Sequence, residues 1–414
     1  MSKRLKWFLP LSLLALVAVV GVLLLPKSVT HAANTTTGTT NWAQPGFNAH
    51  HTYYNPGETT LSASNVSQLT VKWQASVQGS TPVVVNNVLY TLSFTDGKVY
   101  AFNATSGKQV WSVYVGWNMG NYYGSHGLIV KVDTMLYVSA GHALYALNPT
   151  TGATIWTAAP SGTYGYSPNE LTVANGQVFF LPGFSLTLYA LNALTGATLW
   201  TAGNDLMSIL ESPSYSNGIL YTVGGDSNMQ SGVAMALSAR TGTIIWETRI
   251  PSSIDSSFPP SIVNGTMYVV TSQYGGPFCA QAEVFALNAA TGKSLWSTSK
   301  GLYGCQITAT TVANNTVYVG SFGSYDGGYT NAGFITAFNA VTGTQIWSRA
   351  ITTSAATPVV ANGVLYVGAG AFYALDATTG KRLWTGRSQP SDSPVVVNGM
   401  VYATIGSSLM AFGL

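Results

Sequence analysis

Seven stretches of this 414-residue chain are near-copies of one another: VYAFNATSGKQVW (99–111), LYALNPTTGATIW (144–156), LYALNALTGATLW (188–200), MALSARTGTIIW (235–246), VFALNAATGKSLW (284–296), ITAFNAVTGTQIW (335–347) and FYALDATTGKRLW (372–384). A self-similar period of this length means stacked supersecondary units, because one unit cannot bury its own apolar face. The chain ends supply an eighth copy in halves: LMAFGL (409–414) matches the first half and VKW (71–73) the tryptophan end. A ring closed by joining the two ends explains this split. Trp73, Trp111, Trp156, Trp200, Trp246, Trp296, Trp347 and Trp384 then mark eight units, 37 to 51 residues apart.

Within a unit the pattern is of short strands. TPVVVNN (81–87) precedes VLYTL (88–92), and SPVVVNG (393–399) precedes MVYATI (400–405), each pair split by Asn-Asn or Asn-Gly, which tolerate the positive φ of a tight hairpin. A third strand carries YALN and a fourth the tryptophan. Between them N-x-x-T-G supplies an Asx or Thr cap and a left-handed glycine. The expected fold is all-β: an eight-bladed propeller of four-stranded antiparallel blades, closed by pairing the N-terminal strand with the C-terminal blade. The tryptophans are expected to be structural wedges between blades, since one ligand does not need eight equivalent contacts.

The repeat A-[LF]-[ND]-x-x-[TS]-G-x-x-[LIV]-W resembles the tryptophan-docking repeat of the pyrroloquinoline quinone (PQQ) dehydrogenase-like propellers, from about Trp42 to the end. The segment WAQPGFNAHHTYYNPGETTLSASNVSQLTVKW (42–73) is similar to the opening of quinoprotein alcohol dehydrogenases. The same repeat builds non-enzymatic scaffolds, so the resemblance speaks to fold before activity. For an enzyme it implies PQQ and Ca²⁺, with carboxylates on the metal and a carboxylate base. Glu170 and Glu211, at the approach to successive innermost strands, are the candidate cofactor-binding acids, and Asp255 and Asp392 lie in comparable approaches. Ordinary strand-end carboxylates are the competing reading. Many family dehydrogenases stack the quinone on a disulfide between adjacent cysteines; this chain has no Cys-Cys pair.

Composition bounds the rest. With 47% hydrophobic and 7% charged residues the chain is a folded protein with ample core material. Lys3, Arg4 and Lys6 precede an apolar run from Trp7 to Leu25 and a small-residue region near Ala32, the pattern of an export signal, with an uncleaved membrane anchor through residues 7–25 as the alternative. Residues 1–32 are thus expected to be signal or anchor, 33–68 a polar spacer and entry strap, and 69–414 the propeller. Beyond residue 32 the chain carries 12 Lys+Arg against 13 Asp+Glu, which argues against nucleic acid as a partner. The destination is extracytoplasmic and the protein is expected to be a monomer.

Length variation concentrates at one end of the units: the stretches 112–126, 160–170, 224–232, 272–282 and 321–332 are long and rich in Gly, Tyr, Ser and Asn. Variable loops on rigid strands are where binding usually sits. Trp117, Tyr123, His126, Tyr166, Tyr274 and Tyr325 are the candidate ligand-face residues, for a protein or a saccharide. Cys279 and Cys305, both at this end, are expected to form a disulfide in an oxidising compartment. The sparse histidines show no metal-ligand spacing, so no metal site is expected outside the PQQ reading. The leading expectation is a non-catalytic binding or scaffold module without a cofactor; the alternative is a PQQ- and Ca²⁺-dependent alcohol or sugar dehydrogenase.

Overall fold

The computed structural model describes residues 40–116, 128–140, 143–159, 171–182, 187–203, 208–209, 213–225, 231–250, 258–275, 278–302, 306–323, 333–351, 353–386 and 388–414. Eight sheets follow one another around the ring, each built on four antiparallel strands that are consecutive in the chain in blades 1 to 7. Blade 1 comprises Val83–Val85, Val88–Leu92, Lys98–Asn103 and Gln109–Tyr114; blades 2 to 7 repeat the plan, with innermost strands at Ile129–Val132, Leu171–Ala174, Ser214–Ser216, Ser261–Val263, Thr311–Ala313 and Val359–Ala361. Blade 8 takes Val395–Val397, Met400–Ile405 and Ser408–Gly413 from the C-terminal end and its outermost strand, Thr70–Ala75, from the N-terminal side, Trp73 pairing with Ala411. The ring is therefore closed by residues far apart in sequence, as the split eighth repeat requires.

The hairpin between first and second strands turns through a left-handed residue in every blade: Asn86, Asp133, Asn175, Asn217, Asn264, Asn314, Asn362 and Asn398, with φ between 44° and 54°. Asn and Asp tolerate that region, which accounts for the choice at each turn. The N-x-x-T-G turns lie beside these hairpins, since Ala104 N–H donates to Asn87 O, Ala193 to Gly176 O and Ala239 to Gly218 O. Both turn types therefore share one side of the disc.

The tryptophans bind blade to blade. The indole Nε1–H of Trp73, Trp111, Trp156, Trp200, Trp246, Trp296 and Trp347 donates to a carbonyl in the following blade's N-x-x-T-G turn (Ala104, Pro149, Ala193, Ala239, Ala289, Ala340 and Ala377) at 2.8 to 3.1 Å. A second-strand tyrosine reaches the same carbonyl in five blades: Tyr402, Tyr90, Tyr137, Tyr268 and Tyr318. The turn glycine lies flat on the indole, so that a Cβ there would stand 2.5 to 2.9 Å from ring carbons, as at Gly196 over Trp156. Its positive φ and this contact together demand glycine. Trp384 departs from the pattern and makes no such bond to any described residue.

One expectation changes. The stretch 272–282 is not a free loop: the second and third strands of blade 5, Thr266–Gly275 and Phe278–Asn288, continue as one long hairpin in which Tyr274 registers with Cys279. Cross-strand pairing extends here because strand formers such as Thr271, Tyr274 and Phe278 stand on the paired segments, and an irregularity between Ser272 and Tyr274 absorbs the odd residue.

Candidate functional site: the loop-side mouth of the channel

An innermost strand leaves one edge unpaired toward the propeller axis, and eight unpaired edges are a liability. The strap at residues 40–58 satisfies them one after another. At the residue two before each left-handed turn, backbone N–H groups are taken up in blade order: Val84 by Trp42 O (2.8 Å), Lys131 by Ala43 O (2.8 Å), Val173 by Gln44 Oε1 (2.9 Å), Tyr215 by Ala49 O (2.7 Å), Ile262 by His50 O (3.0 Å), Val312 by Thr52 O (3.0 Å) and Val360 by Tyr53 O (3.0 Å). In blade 8 the polarity reverses, and Asn55 Nδ2 donates to Val396 O at 2.8 Å. The strap thus visits all eight blades and closes the channel at the turn side. Its aromatic residues Trp42, Phe47 and Tyr53 belong to one packed cluster with Phe258 and Ala309, which precede the innermost strands of blades 5 and 6.

One residue farther from each turn stands an inner ring of two kinds. Blades 3 to 6 place Thr172, Ser214, Ser261 and Thr311 there, and each hydroxyl donates to a carbonyl of the next blade: Pro213, Pro260, Thr310 and Pro358. The equivalent residues of blades 7, 8, 1 and 2 are Val359, Val395, Val83 and Val130, all buried. His51 is fully buried on the polar half, its Nε2 3.1 Å from Thr172 Oγ1. Because that hydroxyl proton already points at Pro213 O, Nε2 carries the imidazole hydrogen and Nδ1 is left as a buried acceptor without a hydrogen-bond partner. Burial, helped by neighbouring His50, holds the His51 pKa down to about 3, so the ring is neutral.

The opposite end of the channel is framed by the approaches to the innermost strands. Among its described residues, Asp392 is half-buried and accepts from Thr81 Oγ1 of blade 1 and from Ser393 N–H at 2.7 Å. Thr357 Oγ1 accepts from Ala309 N–H at 3.2 Å, and Thr310 Oγ1 donates to Ser261 Oγ at 2.8 Å. This is a hydroxyl-lined rim with one carboxylate already engaged by two donors. Ca²⁺ asks for six to eight oxygens, and no three His, Cys, Asp or Glu side chains converge among the described residues. The described donor set does not by itself make a PQQ-type metal site.

The sequence-predicted residues fall mostly elsewhere. Glu170, Glu211, Asp255, Trp117, Tyr123, His126, Tyr166, Tyr325 and Cys305 lie outside the described residues. Tyr274 and Cys279 face each other in backbone register on the blade 5 hairpin. Asp392 is placed at the mouth. Sequence reasoning missed the strap's register and the hydroxyl half-ring; the Thr, Ser, Ser, Thr series at one fixed distance before successive Asn turns was the signal available.

A family model described as outer membrane protein assembly factor BamB matches residues 26–117, 95–210, 185–328 and 331–412. The chain belongs to this PQQ-type propeller family. Relatives within reach of sequence comparison have different names. A tetrathionate hydrolase of Acidithiobacillus ferrooxidans is 26% identical over 402 residues, covering 84% of this chain and 74% of the relative. The outer membrane protein assembly factor BamB of Salmonella typhimurium is 32% identical over 238 residues, covering 53% of this chain and 56% of its own length. Among solved structures, a europium-containing methanol dehydrogenase superimposes with a TM-score of 0.70 at 15% identity, over 91% of this chain and 99% of that one, a likeness of fold.

Proposed function

We propose that this is an exported, non-catalytic propeller that binds a protein partner through its loop side. Residues 1–32 serve as signal or anchor, 33–68 as spacer and strap, and 69–414 as the binding frame. The observation that supports the reading is the strap: it closes the turn end at all eight blades, so the strand ends that lead into the long, Gly-, Tyr-, Ser- and Asn-rich connections lie at the other end of a rigid frame. The match to a family model described as an outer membrane assembly factor supports a protein partner over a saccharide. A photo-crosslinking residue placed at Trp117 or Tyr325 in the source cells should capture a discrete protein, whereas one at exposed Leu194 on the turn side should not. Equal capture from both sides would overturn the assignment of the face.

A second reading, an enzyme, is favoured by one finding: the tetrathionate hydrolase match spans most of the chain. The purified full chain should neither take up PQQ with Ca²⁺ saturably, nor reduce dye with alcohols or aldoses, nor consume tetrathionate. Turnover in any of these assays replaces the binding reading.

A further inference from the structure

Seven outer tryptophans are fixed by an acceptor carbonyl ahead and a glycine beneath. The eighth has neither. Trp384 of blade 7 faces blade 8, whose third strand ends at Gly413 and whose fourth, Thr70–Ala75, arrives from the other side of the sequence, so no N-x-x-T-G turn joins them. The loss of that carbonyl shows at a second donor. Tyr366 holds the place from which five other blades' tyrosines reach the turn carbonyl; it is 0% exposed and its hydroxyl has no partner. The entry segment, with Leu61, Val66 and Leu69 in the core, covers the gap without supplying an acceptor.

Released, the indole packs into the seam, between Phe372 of its own blade and Phe412 of blade 8. Its Cη2 would lie 2.8 Å from a Cβ at Gly386, and its ring meets Phe372 at 5.6 Å and 84° and Phe412 at 5.8 Å and 73°. The docked tryptophans, by contrast, lie tilted against a second-strand aromatic, as Trp296 does on Tyr268 at 49°. Beside Trp384 opens a cavity of about 300 Å³, walled by Leu69, Phe372, Ile405, Met410 and Phe412 with Val71 at its rim, and no charged side chain among the described residues lines it. That volume stands at the lower end of the range for small-molecule sites.

We propose that this seam binds a small, uncharged, mainly aromatic molecule that packs edge-on to Phe372 and Phe412 and accepts a hydrogen bond from Trp384 Nε1. Aromatic walls favour an aromatic ligand in edge-to-face contact, and an indole N–H with no acceptor selects one carrying an oxygen or nitrogen lone pair. The described lining offers no charge to an ionised ligand, which would lose its hydration there without compensation.

The probe is 1-naphthol, titrated into the full chain by calorimetry and by tryptophan emission. One saturable site is expected. Val71→Trp, on an exposed edge strand, should block the mouth and weaken binding at least tenfold with the melting temperature unchanged; Ser388→Trp, outside any strand, repeats the test should the first variant fold poorly. Trp384→Phe, which keeps the ring and loses the donor, should weaken binding several-fold. Naphthalene-1-sulfonate should not bind. Absence of saturation with 1-naphthol, or undiminished affinity in both blocking variants, would overturn the proposal.

Discussion

The two halves of the inner ring do the same work with different chemistry. From blade 3 to blade 6, four hydroxyls stitch each innermost strand to the next; from blade 7 round to blade 2, four valines fill the same backbone position by packing alone. The outer ring makes no such distinction, with the same indole-to-carbonyl bond at seven seams. The contrast tracks the strap. Where it lays His51 and the His51 carbonyl against the blades, the facing residues are Thr172 and Ser261. A buried imidazole and a buried carbonyl need partners, and the hydroxyls supply them. Symmetry at the rim is set by the repeat; asymmetry near the axis is set by a single-copy segment.

The largest test is at the rim, where the halves should behave alike. Trp200→Ala, in the polar half, and Trp73→Ala, in the apolar half, should each cost about 3–5 kcal/mol in denaturant unfolding; a clear inequality would carry the asymmetry out to the rim. Next comes acid. The His51 ring takes its proton near pH 6.5 in the unfolded chain and only near 3 in the folded one, so its stability is full above 6.5 and drains as pH falls through that window. Between pH 7 and pH 4.5 the loss should be about 3 kcal/mol, with His50, also held down by burial, adding in the same sense. His51→Gln, which keeps a donor for Thr172, should flatten the profile.

Smaller effects separate the half-rings directly. Thr172→Val strands both the Pro213 carbonyl and the His51 Nε2–H, and should cost about 2–3 kcal/mol; Ser261→Ala removes the single hydroxyl proton that lies within reach of both the Thr310 and the His51 carbonyls, at a similar or slightly smaller cost. The smallest change is the reverse swap. Val395→Thr should stay within about 1 kcal/mol, because its hydroxyl can turn to the neighbouring blade's carbonyl as Thr311 does. A loss comparable to that of Thr172→Val would show that the apolar half lacks room for the stitch.

Legibility tracked repetition. The Asn turns, the T-G turns and seven tryptophan seams were readable because the same local chemistry recurs seven or eight times, each copy confirming the rest. The strap occurs once. Its carbonyls pair with residues 42 to about 310 positions distant, and nothing in WAQPGFNAHHTYYN itself names those partners. Trp384 was readable as a repeat member and unreadable as an exception, since its own sequence neighbourhood, LDATTGKRLW, matches its siblings; the difference lies in blade 8, which has no N-x-x-T-G turn to receive it. The nominated loop residues carry no periodic signal, so composition alone pointed to them.

The pairing of Thr70–Ala75 with Ser408–Gly413 also has a consequence in time. The first of these strands leaves the ribosome some 340 residues before its partner, and the strap before it must hold its edge groups open for blades not yet made. Bringing such distant strands together costs about 5 kcal/mol of chain entropy beyond a constant, and contacts this remote in sequence slow folding. Blades can form as they emerge, but the ring can lock only once Ser408–Gly413 has been made, which leaves the earlier blades joined in an open row until then.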